Sequence, residues 1–233
     1  MSYIKILMTF NTWRNNVDKL NLFFSPRACS LACHIALEES DLVYNSISTK
    51  IRVNEHKADT YKALNPWGKI PILTFNKEVL TETPAILAYI ADLSSKDLIP
   101  KKNLLARARA HEWLNFLSST VHIAFRPLFR PNVLLDREEL HPELKKTGIP
   151  NLRKTLLEVE RRLGGKKWAL GDTYSICDPY LLVFHIWSQR DDIIEHVADM
   201  PNWMAHRKRI EAREATKRVF TTEGINAQNI TDK

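Results

Sequence analysis

The residue with most chemistry to offer stands in Phe24-Ser25-Pro26-Arg27-Ala28-Cys29-Ser30-Leu31-Ala32-Cys33, where a short apolar run ends, Ser-Pro turns the chain and an amphipathic run begins. Read as strand, tight loop and helix, the segment puts Cys29 among unpaired backbone N–H groups at the positive end of a helix dipole. Both favour thiolate over thiol, which makes the sulfur a better nucleophile and hydrogen-bond acceptor. The plainer reading is a small residue packing helix against strand, and this stretch alone leaves both open. Cys33 shares a helix face with Cys29, but a continuous helix disfavours a disulfide at that spacing, so core packing is its expected role. A second cluster, Asn65-Pro66-Trp67-Gly68-Lys69-Ile70-Pro71, reads as a turn leading into a strand that starts on a proline, where a missing N–H is tolerated.

Periodicity supplies the elements that must position these groups. Leu20–Phe24 and Val43–Ser48 read as strands with a helix from Cys29 to Ser40 between them. Ile51–Lys62 is polar and irregular, with room for a short helix. Ile70–Phe75 and Val79-Leu80 read as two further strands. Thr83 is the expected N-cap of a helix running to Leu93, with Pro84 in its first turn. After Lys101 everything reads as helix: Asn103–Arg126, a loosely patterned stretch Leu134–Thr147, Pro150–Leu163, Ile176–Arg190 and Pro201–Arg218. A capping box of Ser175 and Asp178 opens Ile176–Arg190, which is apolar nearly all round and so belongs inside a core. The expected units are an α/β domain over residues 20–97 and an all-helical domain over 102–225, with an extension at 1–19 and a polar tail at 226–233. The extension carries a short apolar run, Ile4–Phe10, whose alternative role is an added strand or a surface cap.

With 233 residues there is length for one large domain or two small ones and for a sizeable core. Six glycines among long periodic runs point to a helix-rich protein. The net charge of +7 is spread over amphipathic segments such as Arg153–Arg162, which reads as solvated helix faces and not as a nucleic-acid surface. Three cysteines cannot build a disulfide framework, and Ile4–Phe10 is too short to span a membrane, so a reducing cytoplasm is expected.

A cysteine-bearing α/β domain followed by helices resembles the cytosolic glutathione transferases, and most closely their bacterial beta class, which uses cysteine where other classes use tyrosine or serine. The resemblance rests on Ser25–Ala32, Asn65–Pro71, Leu80–Ile86, Glu112–Asn115 and Phe125–Pro131, in order over about residues 21–225. It implies a thioredoxin-like N-terminal domain joined to an all-helical C-terminal domain. It implies a cis Pro71, with the Ile70 backbone pairing with the cysteinyl unit of glutathione. Glu82 and Thr83 fall where the family holds the γ-glutamyl group, and Cys29 where it meets the glutathione sulfur. His122 matches a histidine placed near that cysteine, there to stabilise a thiolate or move a proton; a solvated histidine on the long helix is the alternative. Asn115 and Ser119 match positions that reach glutathione, Asn115 across a homodimer interface, and Arg52 is assigned to the glycyl carboxylate on a loop that aligns poorly. Three departures stand out: Phe24 where tyrosine is common, Arg27 where glycine is usual, and Pro179 in the first turn after Ser175.

The implied activity is conjugation of reduced glutathione to small hydrophobic electrophiles, with glutathione-dependent peroxidase or thiol transfer as side activities. Glutathione enters as co-substrate; no cofactor, metal, nucleic acid or membrane is implied. Phe125, Phe129 and Trp187 are candidate apolar neighbours of the electrophile. The alternative is a catalytically inactive, transferase-like binding or regulatory protein of the stringent-starvation type.

Overall fold

The computed structural model describes residues 19–197 and 199–226, so the expectations for the extension and the polar tail lie almost wholly outside the described residues. Leu20–Phe24 (β1) is buried along its whole length, Asn21 included, which is why four of its five residues are apolar. Tyr44–Ser48 (β2) lies parallel to it; Ile72–Phe75 (β3) and Glu78–Thr81 (β4) are antiparallel, giving the order β2-β1-β3-β4. Leu20, Leu22, Phe24 and Leu73 face one side of the sheet and join the main core. Phe23 and Ile72 point to the other face, where they meet Ile70 and the edge of the Tyr61 ring.

The main core is roofed by Ser30–Ser40 (α1) and Thr83–Leu93 (α3); Asp59–Lys62 (α2) covers the opposite face. Leu104–Phe116 (α4) starts at Asn103, whose Oδ1 accepts from the Ala106 N–H at 3.0 Å, and its rod continues through a π turn, Leu117–Val121, into His122–Ala124 (α5). Arg126–Phe129 (α6), Pro131–Leu134 (α7), His141–Leu163 (α8), Cys177–Trp187 (α9), Pro201–Glu211 (α10) and Glu214–Glu223 (α11) follow. Residues 177–186 of α9 are buried to the last, as their all-round apolar character requires. Cys33 and Cys177 are buried in this core. The Ser175 and Asp178 capping box forms: Asp178 Oδ2 accepts from the Ser175 N–H at 2.7 Å and from its hydroxyl at 3.1 Å.

Three local expectations change. Thr83 is the first residue of α3 and not its cap; Glu82 holds that place with φ +68° and no side-chain cap bond. The α8 helix starts at His141 and runs through Pro150. A Cβ on Gly148 would lie 2.8 Å from the Pro127 Cβ, so close packing of α8 on the Arg126–Phe129 turn holds the helix across the missing N–H. The final helix is two, bent at Arg213, which is extended because its guanidinium pairs with Glu39 on α1 and lies 3.9 Å from the centre of the Tyr174 ring.

Candidate active site

Cys29 sits at the N-cap position of α1, partly exposed, with helical φ and ψ and no side-chain cap. The preceding loop is knotted locally by Ser30, whose hydroxyl donates to the Ser25 carbonyl and accepts its N–H, both at 3.1 Å. Arg27 adopts φ +61°, a conformation that L side chains resist and glycine accepts freely. Two groups from the far end of the chain hold it there. Trp187 Nε1 donates to the Arg27 carbonyl at 2.8 Å, and Glu223 Oε2 accepts the Arg27 N–H at 3.2 Å. The other Glu223 oxygen lies 2.8 Å from His34 Nδ1 on α1, both side chains being fully buried. Helices α9 and α11 therefore set the loop that carries the thiol.

The Cys29 thiol donates to the Ile70 carbonyl at 3.3 Å, across a cis Ile70–Pro71 bond. Burial pushes its pKa up and the Glu82 carboxylate adds to the rise; hydrogen bonding from Thr83 and from the N–H groups of Cys29 and Ser30 works against them without reversing it. The sequence expectation of a thiolate is thus corrected. The helix terminus does supply N–H groups, but the desolvated setting outweighs them, and Cys29 rests as a thiol. Tyr180, from α9, reaches the same corner and hydrogen bonds with Thr83; burial holds its phenol well above its ordinary range. Sequence reasoning passed over Tyr180, Glu223 and His34, because nothing local marks a partner so far away in the chain.

His122 follows the π turn, a register shift of one residue that sets its direction. Its imidazole makes no hydrogen bond among the described residues and stands edge-on to Trp187, ring centres 4.9 Å apart. Burial, then the positive charges of Arg126, Lys69 and Arg130, lower its pKa to about 4, so it is neutral at physiological pH. Phe125 and Phe129 complete the wall at 5.5 and 5.2 Å from the Trp187 ring. This wall adjoins the thiol loop through the Trp187 bond to Arg27.

Cys29, Ile70, Pro71, Glu82 and Thr83 therefore converge, with His122 one aromatic ring away. Asn115 and Ser119 do not join them. Both are exposed on the α4 rod, where Asn115 Nδ2 bonds the His111 carbonyl and the Ser119 hydroxyl bonds the Asn115 carbonyl. Arg52 lies exposed on the turn Ile51–Val53. Phe24 turns into the core with its ring 4.8 Å from His34. A surface cleft of about 430 Å³, lined by Arg109, Trp113, Arg161 and Lys166 among others, contains none of these groups.

Comparison with known proteins gives this geometry a lineage. The model for the glutathione S-transferase N-terminal domain matches residues 17–92. Glutathione S-transferase GstA of Escherichia coli O157:H7 is 34% identical over 199 residues, covering 82% of this chain and 96% of that protein. The solved structure of a sphingomonad glutathione S-transferase complexed with glutathione superposes with a TM-score of 0.76 at 33% identity, over 88% of this chain and 100% of that one. The bacterial beta class glutathione S-transferase of Sphingomonas chungbukensis gives 0.77 at 33% identity with the same coverage. A mixed four-stranded sheet leading into helices, a cis proline beside a cysteine, and identity sustained across nearly the whole of a named relative converge: the chain belongs to the glutathione S-transferase family.

Proposed function

We propose that the protein conjugates reduced glutathione to small hydrophobic electrophiles, with Cys29 acting as a hydrogen-bond donor to glutathione's sulfur and not as the attacking nucleophile. The observation that carries this reading is the hydrogen bond from Cys29 to the Ile70 carbonyl. In the family that backbone pairs with the cysteinyl unit of glutathione, so the arriving tripeptide competes for the acceptor and releases the Cys29 S–H towards the incoming sulfur. A thiol whose pKa is held up keeps its proton and donates. A hydrogen bond to the charged form favours ionisation, so the glutathione thiol loses its proton to solvent more readily. The thiolate then attacks carbon, and the leaving group departs with its electron pair. Burial and the charges of Arg126, Lys69 and Arg130 bear on His122 and keep it neutral, so that it offers an N–H donor or a weak base. Glu82 pairs with the γ-glutamyl ammonium, and Thr83 with its carboxylate.

Asn115 enters the proposal through a second copy of the chain, Ser119 as a further position that reaches glutathione, and Arg52 through the glycyl carboxylate. A homodimer, a cytoplasmic location, the division at 20–97 and 102–225, and the peroxidase or thiol-transfer side activities belong to the same proposal. Among the described residues no helix is long and apolar enough to cross a membrane. The relatives carry transferase names, which favours an enzyme over an inactive binding protein.

Retention on immobilised glutathione and turnover of a chlorodinitrobenzene, for the wild type and Cys29→Ala, test this reading. The wild type should be retained and active. Cys29→Ala should be retained but slower by about 10- to 100-fold, the size of one lost transition-state hydrogen bond. A wild type that neither binds nor turns over ends the transferase reading, and unchanged turnover in Cys29→Ala removes Cys29 from the mechanism.

A further inference from the structure

The wall beside the thiol loop is aromatic, but its rim is cationic. Arg126 and Arg130 bracket Phe129 in the chain, on and just after α6. Arg190, at the end of α9, places its guanidinium 4.3 Å from the centre of the Phe129 ring. Arg190 is already paired with Asp192 at 2.8 Å. Arg126 and Arg130 have no carboxylate partner among the described residues, and the chain contains no Asp or Glu between Glu112 and Asp136. Both arginines bear on His122, at the wall, and Arg130 bears also on His56, on the turn Glu55–Lys57 of the N-terminal half. Lys69 is drawn off towards Trp67, 5.5 Å from its ring centre. A purely apolar electrophile has no use for two unpaired guanidinium groups at the edge of its ring-binding surface. Unpaired arginines beside a wall of edge-on and tilted aromatic rings suit a planar ring that carries an anion, because a guanidinium binds a carboxylate through two parallel hydrogen bonds.

We propose that the preferred electrophile is an aromatic compound bearing a carboxylate or similar anionic group, its ring lying against Phe129 and Trp187 and its charge held by Arg126 and Arg130. This rests on the transferase reading above and narrows its substrate class. The chemistry is unchanged: glutathione's sulfur forms the bond to the ring carbon, a halide leaves with the bonding electrons, and the thiol proton passes to solvent. Glutathione also brings a carboxylate at its glycyl end, so the test must tell the two sources of negative charge apart.

Two substrates of nearly the same shape and different charge serve this purpose: a chloronitrobenzoate and the matching chloronitrobenzamide, each corrected for its uncatalysed rate with glutathione. The wild type should favour the benzoate in kcat/KM by at least tenfold. In Arg126→Gln/Arg130→Gln that preference should fall at least tenfold, through KM for the benzoate, while KM for glutathione stays within about twofold. Arg126→Lys/Arg130→Lys should restore most of the preference, which a merely structural role would not do. Equal use of the two substrates by the wild type overturns the proposal. So does a double variant whose main change is a raised KM for glutathione, since the arginines would then hold the glycyl end. Equilibrium dialysis with the unreactive nitrobenzoate and nitrobenzamide, in the presence of glutathione, reads the same preference without turnover. If dialysis shows the benzoate preference and neither chloro compound reacts, the transferase reading fails and the anion site stands; equal binding in dialysis overturns the site.

Discussion

Two helix starts in this protein are built in opposite ways. Asp178, at the start of α9, is satisfied by three groups from within nine residues of it and by one ring from α10. It accepts the N–H and hydroxyl of Ser175, the Ala169 N–H at 2.8 Å, and lies 2.9 Å from His206 Nε2. Cys29, at the start of α1, has no side-chain cap and follows an arginine in a left-handed conformation. Its loop is held from outside by Trp187 and Glu223, 160 and 196 residues further along. The self-contained start fixes the fold. The start held from afar leaves a partly exposed thiol resting on a single backbone acceptor, which a ligand can displace, and makes loop geometry answer to the packing of α9 and α11.

The largest expected effect breaks the contrast at its structural end. Asp178→Ala strands the Ala169 and Ser175 N–H groups in the core and should cost about 3–5 kcal/mol, read from the denaturant midpoint. Turnover per folded molecule should survive. Glu223→Ala leaves His34 and the Arg27 N–H without their acceptor and should cost about 2–3 kcal/mol. Unlike Asp178→Ala, it should also raise KM for glutathione, because the loop loses one of its two holders. An unchanged KM would show that the loop keeps its shape unaided and would dissolve the contrast.

Acid sharpens it further. Burial lowers the pKa of His185, on α9, to about 3, and that of His122 to about 4. Both are neutral, folded or unfolded, above about pH 6.5. Below that, the unfolded chain takes up protons that the folded protein refuses, so stability falls by about 1.4 kcal/mol per pH unit for each histidine. Between pH 7 and 5 this amounts to roughly 2 kcal/mol apiece. Denaturant midpoints across that range should fall less steeply in His185→Phe, where a ring against Trp203 is kept; an unaltered slope takes the acid sensitivity away from α9. The smallest effect is expected of Arg27→Gly. It relieves the φ +61° conformation, worth about 1 kcal/mol, and should raise the melting temperature by a few degrees.

What the sequence disclosed and what it hid divide along the same line. Cys29 at a helix start, the strand led by Pro71, the four strands and the Ser175 and Asp178 box are local, carried by residues a few positions apart; the cis form of the Ile70–Pro71 bond was implied by the family resemblance. The raised pKa of Cys29 was hidden because it depends on how deeply the thiol is desolvated, which no motif encodes. The passage of α8 through Pro150 depends on Gly148 meeting Pro127, and the bend at Arg213 on Glu39 and Tyr174. Each is a tertiary contact overriding a local signal. His122 was legible as a candidate, but its neutrality comes from burial and from Arg126, Lys69 and Arg130, which only the fold gathers.

The unequal burial of the three cysteines has an experimental use. Cys33 and Cys177 are closed off in the core, their thiols pushed further from ionisation by burial, while Cys29 alone is partly exposed. A disulfide dye added to the native protein therefore counts one sulfur per chain, and saturating glutathione slows even that one. The other two report at the speed with which α1 and α9 open, so the colour yield over time is a clock for unfolding that needs no added label.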